Sequence, residues 1–280
     1  MRNINSEEIT SAVKKLCMDA NFYLGDDVLE AVRKSLDKEE SPLGKEILNQ
    51  ILENAEIAGK GPMPLCQDTG LTAVFVELGT DVHIEGDNLE AAIQEGIRQG
   101  YSDGYLRKSI VEDPLRRKNT GDNTPGVISI KMAKGNKIKI TILPKGGGSE
   151  NMSAIKMLKP SDGEQGVKDF IVETVKTAGG NPCPPIIVGV GIGGSFDKCA
   201  YLAKKSLLRE VGSVHPDPYY ADMEKELLER INNTGIGPQG LGGRTTALAV
   251  HIEAHPCHIA SLPAAVNTQC HSARHKEIII

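Results

Sequence analysis

The chain has 280 residues, 39% hydrophobic and 25% charged, with a formal net charge of −5. That is ordinary globular composition with ample core, and the acid excess offers no electrostatic footprint for nucleic acid or an anionic membrane. Met1–Asn5 lacks an apolar signal core, and no run approaches the roughly 20 apolar residues of a membrane span, so the chain is expected to be cytoplasmic. In that compartment the six cysteines are expected as ligands or core rather than as disulfides.

Three helices are expected first. Asn5 is the N-cap of the first, with Glu8 three residues on and an apolar stripe of Ile9, Val13, Leu16 and Ala20. Asp27 with Glu30 repeats the signal ahead of Val32 and Leu36. Ser41 and Pro42 open the third helix, whose buried face is expected at Leu43, Ile47 and Ile51. Leu71–Leu78 reads as a strand and Asn88–Gln99 as a helix with Leu89, Ala92, Ile93 and Ile97 inward. Val127–Met132 and Lys137–Leu143 alternate like the arms of a hairpin. Glu164–Thr177 is a helix, Ile186–Val190 a short buried strand, and Ser195–Leu208 and Pro218–Asn232 are helices. Thr245–Ile252 is a strand, and strand and loop continue to Ile280. Strands and helices mix without strict β-α-β alternation. The expected fold is therefore α/β (mixed α+β), one domain over residues 1–280, compact or bilobed, with small sheets flanked by helices.

Three groups of residues carry chemical signals. Gly189-Val190-Gly191-Ile192-Gly193-Gly194 matches a dinucleotide-binding turn. The acid that should take the ribose hydroxyls about 20 residues later is missing, so the glycines read better as close-packing residues. His255-Pro256-Cys257-His258, Cys270-His271 and His275 suggest zinc, but only His271 and His275 have ligand spacing. Cys66, Cys183 and Cys270 all sit in turn-like settings punctuated by proline, glycine or polar residues, whereas Cys17 and Cys199 sit mid-helix, where core packing suffices. The three loop cysteines are too widely spaced for a ferredoxin motif. A fold could still bring them to one iron–sulfur cluster, with one iron left open as a Lewis acid. Gln67 and Asp68 follow Cys66 directly, which places an amide and an acid/base group beside that candidate ligand.

Six stretches together carry a resemblance: Pro64–Gly70, Gly104–Ser109, Pro144–Asn151, Asn181–Pro185, Gly235–Gly243 and Ser261–Cys270. In this order they resemble class I, iron–sulfur-dependent fumarate hydratase. More narrowly, they resemble the alpha subunit of its two-subunit form, a relative of the L-tartrate dehydratase alpha subunit. The resemblance implies a [4Fe-4S] cluster on Cys66, Cys183 and Cys270. It implies substrate contacts from Gln67, Arg107 and the backbone around Gly147, an acid at Asp68, and an active-site histidine at His258. Single-chain members continue into a second domain that carries the proposed base, so a separate beta subunit and an α2β2 heterotetramer are expected. The expected activity is hydration of fumarate to L-malate, a small dicarboxylate reaction. L-tartrate dehydration to oxaloacetate is the alternative, and a dinucleotide-dependent oxidoreductase a more distant one.

Overall fold

Asn5 adopts an extended backbone and its side chain accepts the Glu7 N–H, so the first helix starts where its capping residue stands. The protein's structure, a computed structural model, describes residues 1–280. In chain order the first half contains β1 (Arg2–Asn5), α1 (Ser6–Phe22), α2 (Asp26–Lys38), α3 (Pro42–Lys60), β2 (Leu71–Gly79), β3 (Val82–Glu85), α4 (Leu89–Asp103), β4 (Val127–Ala133) and β5 (Ile138–Lys145). The second half contains α5 (Gly147–Glu150), β6 (Ala154–Leu158), α6 (Gly163–Ala178), β7 (Ile186–Gly193), α7 (Phe196–Ser206), α8 (Pro218–Asn232), β8 (Ala247–His255), β9 (Leu262–Gln269) and β10 (Lys276–Ile279). This is the mixed α/β architecture expected, with one 2-stranded and two 4-stranded sheets. No helix is long and apolar enough to cross a membrane.

The chain divides into two units, each assembled from separated stretches. The first comprises Met1–Leu24, Ala55–Gly147 and Arg274–Ile280. Its main sheet has the order β10-β5-β2-β4, and the short β1 and β3 pair in parallel beside it in sequence. Ile9, Val13 and Leu16 of α1 and Ala92, Ile93 and Ile97 of α4 form one core with alternate residues of β2 (Val74, Val76) and β5 (Ile138, Ile140, Ile142). Each of the Ile, Leu and Val side chains contributes roughly 1.5–3 kcal/mol on burial. The two helices approach closely because α4 presents Gly96 and Gly100. A Cβ at Gly96 would lie 2.6 Å from Val13 Cβ, and one at Gly100 would lie 2.8 Å from Cys17 Cβ.

The hairpin expected from 127–143 does not form. β2 lies between its two arms, parallel to β4 and antiparallel to β5. The end of β2 threads under the intervening turn: the Gly79 N–H donates to Lys137 O and the Asp81 N–H to Gly135 O, both at 2.9 Å. A Cβ at Gly79 would come within 2.3 Å of Gly135 O, so a larger residue would block this insertion.

The second unit comprises Gly25–Asn54 and Gly148–Ala273. Its sheet has the order β6-β9-β7-β8. β7 is sorted by its two-residue period. Ile186, Val188 and Val190 join a core with α6 (Val167, Ile171, Val175) and α8 (Met223, Leu227, Ile231). Gly189 and Gly191 face α7, where a Cβ would lie 2.2 Å from Ala203 O and 2.0 Å from Cys199 O, respectively. From Gly189 to Gly193 the glycine run is therefore strand, continuing three residues past the expected end at Val190, and Gly189 and Gly191 serve helix–strand contact rather than a phosphate turn.

Other expectations move by smaller amounts. α2 begins at Asp26 after Gly25, and the Asp27 carboxylate accepts the Val211 N–H instead of capping its own helix. In α3 the buried face is Ile47, Leu48 and Ile51, while Leu43 is 47% exposed. β1, β3 and β6 were not expected, and the triple-glycine turn contains the short α5.

Candidate active-site loops

In the first unit, Pro64–Gly70 is an ordered turn between α3 and β2. Gly70 has φ +74° and packs on the backbone of Lys145, where a Cβ would lie 2.6–2.7 Å from three main-chain atoms. Only glycine fits there. The buried Tyr101 hydroxyl donates to Thr69 O at 2.7 Å and accepts from the Thr72 hydroxyl at 3.2 Å. Asn123, also buried, donates to Gly70 O at 3.2 Å. The Leu65 N–H reaches Asn21 O at 2.9 Å, and the Thr69 hydroxyl reaches Arg107 O at 3.1 Å. Arg274 is 1% exposed and donates from Nη2 to Asp68 O.

This frame holds the reactive side chains in fixed directions. The Asp68 N–H points at Cys66 Sγ, 3.4 Å away. Asp68 Oδ1 accepts the Gly70 N–H at 3.0 Å, and Oδ2 accepts the Gly147 N–H at 2.8 Å. The Gly147 N–H, in the turn whose backbone is expected to contact substrate, is thus directed at Asp68. Each Asp68 oxygen keeps a further acceptor position. The exposed Arg107 donates from Nη1 to Gln67 Oε1, so an amide and a guanidinium form one polar surface beside the turn. Gln67, Asp68, Arg107 and Gly147 are brought together here with Cys66.

In the second unit, Cys183 sits in the left-handed region at φ 56°, a conformation non-glycine residues seldom adopt. It is exposed, and Cys270 is half-buried at the end of β9. The Gln269 side-chain amide approaches Cys270 Sγ at 3.9 Å. The Gly148–Asn151 turn is fixed to β9, because the Thr268 hydroxyl donates to Ser149 O at 2.8 Å and the Asn267 amide to Glu150 Oε2 at 2.9 Å. Lys204 pairs with the other Glu150 oxygen. His258 lies in an exposed loop, and its Nδ1 accepts the Ala260 N–H at 3.1 Å. With Nδ1 so engaged, the neutral ring carries its proton on Nε2 and presents a donor outward.

The remaining cysteines differ in kind. Cys17 and Cys199 are fully buried, and burial pushes both thiols up, which keeps them protonated and inert. The Cys199 thiol donates to Phe196 O at 3.3 Å. The histidines of the zinc reading are dispersed in the local contacts they make: His258 Nδ1 accepts the Ala260 N–H and His255 Nδ1 lies 2.9 Å from Pro256 O. His271 belongs to a different network: its Nδ1 lies 3.1 Å from Gln239 Nε2 and 3.0 Å from Cys183 O. A thiolate-held cluster suits the donor set on chemical grounds. Soft sulfur ligands in accessible, non-helical turns are available at Cys66, Cys183 and Cys270.

Sequence reasoning missed Tyr101, Asn123, Arg274 and Gln239. A charged residue beside Ser272 and Ala273 was the one signal for Arg274. The others act on carbonyl groups distant in the chain, which leave no local pattern.

The chain resembles known proteins over nearly its whole length. Residues 10–279 match a family model described as "Fumarate hydratase (Fumerase)". A protein of Methanocaldococcus jannaschii, provisionally named L(+)-tartrate dehydratase subunit alpha, is 46% identical over 273 residues, covering 95% of each chain. The L(+)-tartrate dehydratase subunit alpha of Escherichia coli O157:H7 is 34% identical over 276 residues, covering 98% of this chain and 91% of its own. The protein of the same name from strain K12 is 33% identical over 276 residues, with the same coverage.

Proposed function

Because the chain belongs to the fumarate hydratase (Fumerase) family and is a hydro-lyase, we propose that it is the alpha subunit of an iron–sulfur enzyme interconverting fumarate and L-malate. Cys66, Cys183 and Cys270 would hold a [4Fe-4S] cluster. When bound, the cluster supplies Lewis acidity toward the substrate oxygen and transfers no electron. The observation that carries the reading is the Cys66–Gly70 turn, which places a candidate thiolate ligand, a two-point-held carboxylate and the Gln67–Arg107 pair on one rigid frame.

The chain's own residues divide the work. Arg107 and Gln67 bind a substrate carboxylate, with charge-assisted bonds from the guanidinium. That charge also steadies the extra negative charge that develops when the C3 proton of malate is removed. Asp68 gives a proton at one carboxylate oxygen to the departing hydroxyl, or takes it back in the hydration direction. Gly70 and Gly147 keep that carboxylate from rotating away. His258 offers Nε2–H as a donor to substrate or to the water that is exchanged.

The base is assigned to a separate beta subunit, completing an α2β2 heterotetramer in the cytoplasm. The designation "subunit alpha" in the relatives' names supports such a partner. L-tartrate as substrate is the second reading, favoured by those same names. Malate and tartrate differ by one hydroxyl, so the choice is decided by kcat/KM for each, measured on anaerobically purified chain with its partner. A higher value for malate and fumarate supports the first reading, and a higher value for tartrate replaces it with the second. An iron-free protein that turns over neither contradicts both.

A further inference from the structure

Gln239 is a residue under restraint. It holds φ 53°, the left-handed region, in the middle of a loop that has no room to relax. Two residues before it, a Cβ at Gly237 would lie 2.1 Å from Gly242 O, and one residue after it, a Cβ at Gly240 would lie 2.5 Å from Gly180 Cα. The far end of the loop is anchored by Glu39, which is 2% exposed and whose carboxylate accepts the Arg244 and Thr245 N–H groups at 2.8–3.0 Å. A non-glycine residue in such a conformation calls for a compensating role.

Its contacts supply one. The Gln239 N–H donates to Pro184 O at 2.8 Å, and its side-chain Nε2 donates to the same oxygen at 2.9 Å. Nε2 also lies 3.1 Å from His271 Nδ1. His271 in turn faces Cys183 O, with Nδ1 at 3.0 Å and the backbone N–H at 3.4 Å. The ring is tied to the Cys183–Pro184 segment in either neutral tautomer. With the proton on Nε2, Nδ1 accepts from Gln239, which itself holds Pro184; with the proton on Nδ1, the ring donates to Cys183 O.

We propose that Gln239 and His271 are a positioning pair that fixes the Cys183 and Cys270 loops relative to one another, so that both thiolates are preorganised for the cluster. The proposal rests on the iron–sulfur reading above and adds residues that the reading does not contain. Neither side chain ligates iron. Both act through the loops, as partners behind the ligands do at metal sites generally.

The test has two parts. In the cluster-free chain, hydrogen exchange of the Cys183 and His271 amides is measured for wild type, Gln239→Ala and His271→Ala. Either substitution is expected to accelerate exchange at both sites about tenfold, and His271→Asn, which retains a polar atom near the Nδ1 position, to restore most of the protection. In the reconstituted chain, iron release to a chelator is expected to be roughly tenfold faster in each alanine variant, with the double variant little worse than either single one. Acceleration confined to the 235–243 loop, or iron release at the wild-type rate, would overturn the pair. A wild-type chain that takes up no cluster overturns the iron–sulfur reading, and with it the cluster role, while the exchange result separately reports whether the two loops are coupled.

Discussion

The Cys66 turn and the Cys183 and Cys270 loops hold their sulfur atoms by different means. The first is fastened by side chains that reach under it: Tyr101, Asn123 and Arg274 all donate to its carbonyl groups. It carries the reactive groups in the same few residues, with Asp68 and Gln67 next to the sulfur. The second pair of loops carries little acid–base chemistry of its own. Its investment is in alignment, through Gln239, His271 and the β9 contacts of Ser149 and Glu150. On the proposed reading the difference is a division of labour: the first unit would present Asp68, Gln67, Arg107 and one anchor, and the second two anchors and His258.

That division can be broken in order of expected effect. Serine at Cys66, Cys183 or Cys270 is expected to abolish the cluster, whereas Cys199→Ser is expected to retain it; iron content reads the contrast. If Cys199→Ser were the damaging change, the distinction between loop and core cysteines would be wrong. Next, Asp68→Asn should lower kcat by about 10²–10⁴ with the visible spectrum of the cluster unchanged. A lost spectrum would instead make Asp68 part of cluster retention.

Glu39 gives the third effect. Burial alone would raise its carboxyl, but the amide bonds from Arg244, Ser41 and Thr245 outweigh burial and hold it at about 2, against an ordinary value of 4.5. Because the folded value is depressed, the stabilisation is fully present above pH 4.5 and is lost as pH falls through about 2. Glu39→Gln should therefore lower stability to denaturant most at neutral pH, with the gap to wild type closing between pH 4.5 and 2. A gap constant across that range would show that the charge is not what matters. The smallest effect is at Arg107. Arg107→Ala should raise KM for malate or fumarate by about 10–100-fold, corresponding to a charged hydrogen bond of roughly 1.5–3 kcal/mol, with cluster content intact. An unchanged KM would remove Arg107 from substrate binding.

Much of the helical framework was legible because helices announce themselves locally. Asn5 caps where side-chain chemistry says it should, and the buried positions of α1 and α4 follow their apolar period. Strand partnership was not legible. The alternation of Val127–Ala133 was real, but nothing in it says that β2 inserts before β5 arrives. β1 and β3 are four residues each and pair with a partner some eighty residues away, too short to show a pattern. The glycines of β7 match a turn motif, because close packing and tight turning favour the same residue, and only the missing acid downstream pointed to the packing role they have. At the candidate site, Cys66, Gln67 and Asp68 were legible because proline and glycine frame them. Arg274 and Gln239 were not, and His271 stood out only for a zinc-like spacing, because each acts on a carbonyl group supplied by a distant stretch of chain.

The most direct measurement of the central claim is iron and acid-labile sulfide per chain, with the visible spectrum, on protein purified without oxygen. The account predicts a brown protein with about four of each, which lose their place together when Cys183 becomes serine. A colourless protein, or one carrying zinc in place of iron and sulfide, would contradict it.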